Sequence, residues 1–206
     1  MAERAGQGGR RADGPKSHVR IFISSPGDVA EERRIAERWG VDPARVVVTS
    51  GGDDAIDRTC RAVLEPGRAA LLHRPPFELI ERSARLAGGA VRAVPWIDGA
   101  FPAEAFAGAI DDATKLVALV TPNNPTGGAI APGVCRAIAE AARRRGAVAL
   151  VDLAYAEFAD VDPTRELLGS GSHELGDLGA RAGNVRDDLG REPARHDLVV
   201  GGDLVT

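Results

Sequence analysis

Three short stretches of this chain carry side chains suited to hold a small, flat, charged molecule. Thr49-Ser50-Gly51-Gly52-Asp53-Asp54 lies between an apolar run and an amphipathic one. Two glycines there let the backbone turn sharply and present successive N–H groups at a helix start, which suits a phosphate; the same residues also suit a plain tight turn with Asp53 as helix cap. Thr121-Pro122-Asn123-Asn124-Pro125-Thr126-Gly127-Gly128 fixes a loop with two prolines and two glycines, and sets an asparagine amide where it can donate a hydrogen bond or bond back to its own turn. Asp152-Leu153-Ala154-Tyr155 ends an apolar run in a carboxylate, with a phenol three residues on. That carboxylate could hold a protonated ring nitrogen and the phenol could donate to a nearby oxygen. Equally, Asp152 could cap a helix with Tyr155 packed on the surface.

The elements that would position these residues alternate along the chain. Strands are predicted at Val19–Ile23, Arg45–Thr49, Ala69–His73, Ala90–Pro95, Lys115–Val120 and Ala147–Asp152 from β-branched and unbroken apolar runs. Helices are predicted at Val29–Trp39, Asp53–Leu64, Phe77–Ala87, Pro102–Ile110 and Pro132–Arg145 from period-3.6 patterns with stop signals such as Glu65-Pro66-Gly67. Strands alternating with helices through short loops imply an α/β fold, a mostly parallel sheet covered on both faces. In such a sheet ligands bind beyond the carboxyl ends of the strands, where all three stretches fall. Residues 1–17 read as a disordered lead-in, and 165–206 as an irregular tail apart from a strand signal at Leu198–Val200.

Taken together, TSGGDDAID, PPFELIERSARLAGG, TPNNPTGG and VDLAYAEF, in this order and spacing from Trp39 to Thr164, resemble the pyridoxal-phosphate (PLP) aminotransferases of class I/II, fold type I, and most of all the histidinol-phosphate aminotransferase group. The resemblance implies a three-layer α/β/α sandwich over 39–164, corresponding to part of the large domain of these transferases. It also implies roles. The backbone N–H groups of Gly52 and Asp53 would cradle the cofactor phosphate, Phe77 would stack on the pyridine ring, and Asn124 and Tyr155 would bond its phenolic oxygen. Asp152 would pair with the ring nitrogen and keep it protonated. Pro76 stands where the family usually has Thr, and Ile80 where it often has Tyr, so contacts at the ring edge differ from the family's. A small-molecule amino donor and a possible homodimer are further implications; separately, the Gly- and Arg-rich start without the apolar core of a signal peptide makes a cytoplasmic setting the expectation.

The family's central lysine lies about thirty positions beyond that aspartate, within a Ser-Lys motif, and forms the Schiff base. Here lysine occurs only at Lys16 and Lys115, and Ala180 to Asn184 reads Ala-Arg-Ala-Gly-Asn. Arg181 is no substitute, because a guanidinium stays protonated. No catalytic residue is therefore assigned, and an inactive or truncated form with at most non-covalent PLP binding is expected. The late substrate-binding arginine, the second phosphate block and the small domain are not found either, so marginal stability and an exposed sheet edge are expected. The bias after Leu168 toward Gly, Arg, Asp and Ala is that of a GC-rich gene read out of frame. If so, another frame downstream of codon 168 should encode the Ser-Lys motif.

Other classes fare worse. His18 to Arg34 resembles the first strand, loop and helix of a TIR-like domain, giving an 18–38 unit and an alternative reading as a signalling module fused to a degenerate scaffold. One such unit is too short to carry that domain's activity. Gly169-Ser170-Gly171 has Glu174 at the third glycine of a dinucleotide motif, and no strand precedes it. His73, His173 and His196 sit in no nucleophile-elbow context, and His73, at a strand end, reads as a solvent-facing imidazole. The net charge of −4 argues against nucleic acid or an anionic membrane as partner. No apolar run is long enough to span a bilayer. Cys60 and Cys135 lack metal-ligand spacing and read as buried thiols, so no metal is assigned.

Overall fold

A computed structural model describes residues 18–24, 46–161, 164, 167 and 197–203. Among these residues the sheet has seven strands: β1 (His18–Ser24), β2 (Val46–Thr49), β3 (Ala69–Arg74), β4 (Ala90–Pro95), β5 (Thr114–Val120), β6 (Val148–Asp152) and β7 (Asp197–Asp203). Their spatial order is β2-β1-β7-β6-β5-β3-β4, and every neighbouring pair runs parallel. The helices are α1 (Gly52–Val63), α2 (Glu78–Leu86), α3 (Ala103–Gly108) and α4 (Pro132–Arg144), with a short 3-10 turn at Ala156–Phe158.

Alternation along β5 shows why the fold has three layers. Leu116, Ala118 and Val120 face a core shared with Ala55, Ile56 and Cys60 of α1 and Ile80 and Ala84 of α2. Val117 and Leu119 face the other side, against Phe106 of α3 and Cys135, Ile138 and Ala142 of α4. A strand buried on both faces needs no polar alternation, and the unbroken LVALV run is that signature. Each leucine so buried contributes roughly 1.5–3 kcal/mol relative to exposure. The architecture is thus the partial α/β/α sandwich expected from the sequence.

The tail differs from its reading. The weak signal at Leu198–Val200 belongs to a seven-residue strand, β7, lying between β1 and β6 in the middle of the sheet. Its register pairs Val200 with Val151 on one side and with Ile21 on the other. A Leu-Val-Val run favours an interior parallel position, and flanking glycines obscured it in sequence. The sheet edges are β2 and β4; β4 is half-buried over Val91–Val94. The expected helix at Val29–Trp39, the lead-in 1–17 and the segment around Ala180–Asn184 lie outside the described residues.

Candidate functional site

Because all strands are parallel, the loops after β2, β3, β5 and β6 leave the same edge of the sheet. After β5 comes the Thr121–Gly128 loop, and after β6 comes Asp152 with Tyr155. Val120 and Asp152 are register partners, and the Thr121 N–H donates to the Asp152 carbonyl at 3.0 Å. Asn124 therefore follows β5 beside the strand end that carries Asp152. Phe77 follows β3, the neighbour of β5 on the other side, and is half-buried against the core that holds Ile80. Gly52 opens α1, which packs across β5 and β6 and against α2. The six residues singled out in sequence thus belong to four loops at one edge of one sheet.

Each loop has its own reason for its shape. Gly51, just before α1, sits at φ 100°, a conformation glycine adopts without strain. No side chain caps α1, so Asp53 is not the helix cap that one reading allowed. A Cβ built on Gly52 would meet nothing within 4 Å, so the chain is uncrowded at this residue. Of the two acidic residues there, Asp54 turns away: it accepts from the Ser50 N–H at 3.0 Å and from Arg58 Nε at 2.8 Å. The Arg58 guanidinium holds its carboxyl below the usual range. Asp53 is exposed. The helix start thus keeps its positive end while one of its carboxylates is neutralised by a partner.

In the Thr121–Gly128 loop the two asparagines divide the work. Asn123 is 3% exposed, and its Nδ2 donates to the Pro75 carbonyl at 3.2 Å and to Thr126 Oγ1 at 2.8 Å. Its Oδ1 is buried and finds no partner among the described residues. Asn124 is half-buried at the loop surface. Gly127 takes φ 72°, and Gly128 lets Trp96 approach so closely that a Cβ there would lie 2.7 Å from the indole. Asp152 is 9% exposed, with Oδ1 accepting from the Ala154 N–H at 3.0 Å, a bond that turns the chain back after β6. Tyr155 is 44% exposed and lies 6.5 Å, ring to ring, from Phe158, itself 76% exposed. Ile80, which stands where the family often has Tyr, is buried in the core.

His73 corrects the sequence reading: it is 1% exposed, not solvent-facing. Its Nε2 accepts from the Val120 N–H at 3.2 Å, which leaves Nδ1 to carry the proton and donate to the Pro75 carbonyl, also at 3.2 Å. Trp96 and Phe101 meet the imidazole edge-on, with centroids 5.4 and 6.2 Å away. Burial pushes His73 down to about 4, against the opposing pull of the Pro75 carbonyl. His73 and Asn123 were not singled out as site residues in the sequence. The signal for His73 was the apolar run Ala69–Leu72, which marks a strand buried on both faces up to its last residues. The thiols of Cys60 and Cys135 are free and buried, and burial pushes Cys60 up to about 12, so it is inert. Lys115 lies at the amino end of β5, opposite this edge.

Among the described residues no helix is long and apolar enough to cross a membrane, and no cluster of three or more His, Cys, Asp or Glu is placed to hold a metal. Comparison with known proteins gives one consistent family. The sequence model of aminotransferase class I and II matches residues 7–185, a longer span than the Trp39–Thr164 blocks. Histidinol-phosphate aminotransferase 2 of Caulobacter vibrioides is 42% identical over 137 residues, covering 65% of this chain and 35% of that protein. The histidinol-phosphate aminotransferase of Haloarcula marismortui is 34% identical over 151 residues, covering 70% and 40%. The chain thus spans two-fifths or less of the length of these relatives. Among solved structures, N-succinyldiaminopimelate aminotransferase from Mycobacterium tuberculosis superposes with a TM-score of 0.58 at 32% identity, over 64% of this chain and 37% of that one. Aspartate aminotransferase from Thermus thermophilus gives 0.58 at 26% identity, over 70% and 41%.

Proposed function

The chain belongs to the class I and II aminotransferase family, whose members depend on PLP, and from that premise we propose that these 206 residues bind the cofactor non-covalently and do not turn over on their own. The observation that carries this reading is the placement of Gly52, Asn124, Asp152 and Tyr155 at one edge of the parallel sheet, with no crowding around a Cβ position at Gly52. The residues present fit the group. An uncapped helix start with its N–H groups directed outward suits a phosphate dianion. A carboxylate that is nine-tenths buried at a strand end suits a protonated ring nitrogen, since a charge-assisted hydrogen bond strengthens as water is excluded.

In this reading the N–H groups of Gly52 and Asp53 hold the phosphate, and Phe77 covers one face of the ring. The Asn124 amide and the Tyr155 hydroxyl donate to the ring oxygen. Asp152 keeps a proton on the ring nitrogen, and its bond from the Ala154 N–H fixes the carboxylate's orientation. When bound, the cofactor supplies an electron sink for a carbanion formed on an amino substrate. Among the described residues no lysine lies at this edge: Lys115 is at the opposite end of its strand. Histidinol phosphate is the amino donor favoured by the two relatives' names, with a dimer and a cytoplasmic setting as further parts of the same proposal.

The test is reduction with borohydride after incubation with PLP, followed by peptide mapping and a transamination assay. The expected outcome is cofactor that dialyses away, no adduct at a defined lysine and no amino transfer. A stoichiometric adduct at Lys16 or Lys115 accompanied by transamination overturns the proposal.

A further inference from the structure

The site contains a junction that none of the assigned ligand roles uses. β3 and β5 pair only through Leu71 and Val117, whereas β3 stays paired with β4 as far as Arg74 and Pro95. Beyond Leu71 the β3–β5 ladder ends, leaving a gap in the pairing that runs toward the carboxyl edge where Phe77 and Asn124 leave their strands. His73 bridges that gap with both ring nitrogens, one accepting from Val120 of β5 and the other donating to Pro75. The Pro75 carbonyl accepts a second bond from Asn123 of the β5 loop. Asn123 is tied in turn to Thr126 Oγ1, which also accepts from the Gly128 N–H at 3.3 Å. One carbonyl thus receives donors from both sides of the gap. It lies two residues before Phe77, and one of its donors lies one residue before Asn124.

We propose that His73 and Asn123, meeting at the Pro75 carbonyl, are positioning residues that set the spacing between the loop carrying Phe77 and the loop carrying Asn124, and so fix the slot into which a flat ring enters. The phosphate cradle at Gly51–Asp53 is held by a different set of bonds, Thr49 Oγ1 to the Gly51 carbonyl and Ser50 N–H to Asp54. The junction therefore governs ring recognition and not phosphate recognition. Trp96 and Phe101 keep water from the imidazole and hold its plane, so the junction has one geometry. This role rests on the cofactor-binding reading above.

The test uses the full chain with two probes, pyridoxamine 5′-phosphate, which cannot form a Schiff base, and inorganic phosphate. Affinities are measured for the wild type, His73→Leu and His73→Gln, well below each melting temperature. Losing the junction's hydrogen bonds should weaken pyridoxamine phosphate about tenfold or more in His73→Leu, while phosphate binding stays within about twofold. His73→Gln, with an amide oxygen to accept and an amide N–H to donate, should recover most of the loss. Equal weakening of both probes, or no difference between Leu and Gln, overturns the positioning role. Nitrogen-15 spectra of the imidazole provide an independent check: the Nδ1–H tautomer is expected, and an Nε2–H tautomer overturns the junction whether or not any ligand binds. A wild type with the expected tautomer that binds phosphate but not pyridoxamine phosphate overturns the cofactor reading, and the ring-positioning role falls with it.

Discussion

At the scale of single residues, the most informative side chain is one the sequence made easy to misjudge. His73 ends a strand, next to an arginine and two prolines, and such a position usually faces water. Its burial follows from the sheet: β3 is interior, and the unpaired Val120 N–H needs an acceptor that no strand supplies at that point. An imidazole supplies it only while neutral, which sets a pH dependence. The unfolded chain binds a proton at this histidine near 6.5, and the folded chain only near 4. Between those values the unfolded state holds the extra proton, so stability rises with pH and is lost as pH falls through the window. The full difference is on the order of 3 kcal/mol. Denaturant unfolding at pH 7 and pH 4.5 should show a larger loss in the wild type than in His73→Gln. Equal losses would mean that carboxylates alone account for the acid sensitivity. Asp152, by contrast, was legible as a strand end, because a polar residue breaking off an apolar run marks one, whereas the roles expected of Asn124 and Tyr155 came from the family resemblance and not from type and spacing.

At the scale of elements, most of the sheet was readable because interior parallel strands are nearly pure apolar runs, as in LVALV and VALV. The helices were equally plain, since α1, α2 and α4 each keep one apolar stripe. What could not be read was order in space. Sequence predicts that β7 exists only faintly, and nothing in it says that the last strand inserts between the first and the sixth. The two-faced burial of β5 yields a direct check. Leu116 lies in the core under α1 and α2, and Leu119 in the one under α3 and α4. Truncation of either to alanine should cost about 2–5 kcal/mol in denaturant unfolding. A near-neutral result at one position would mean that the helix layer on that face is not packed against the sheet.

At the scale of the whole molecule, a sheet of seven parallel strands among the described residues gathers four loops at one edge, the edge proposed above to hold the cofactor. In the proposed reading, a chain spanning about two-fifths or less of the length of these relatives carries residues that would hold a ring and a phosphate, while its two lysines are remote in sequence from those loops. On this proposal binding and turnover would be separable. The most direct measurement is calorimetric titration of the intact chain with pyridoxamine 5′-phosphate, run beside Asp152→Ala. Saturable binding in the wild type, weakened on the order of tenfold or more by loss of the carboxylate that pairs with the ring nitrogen, is the expected result. No binding by the wild type, or affinity indifferent to Asp152, would contradict the assignment of this edge to the cofactor.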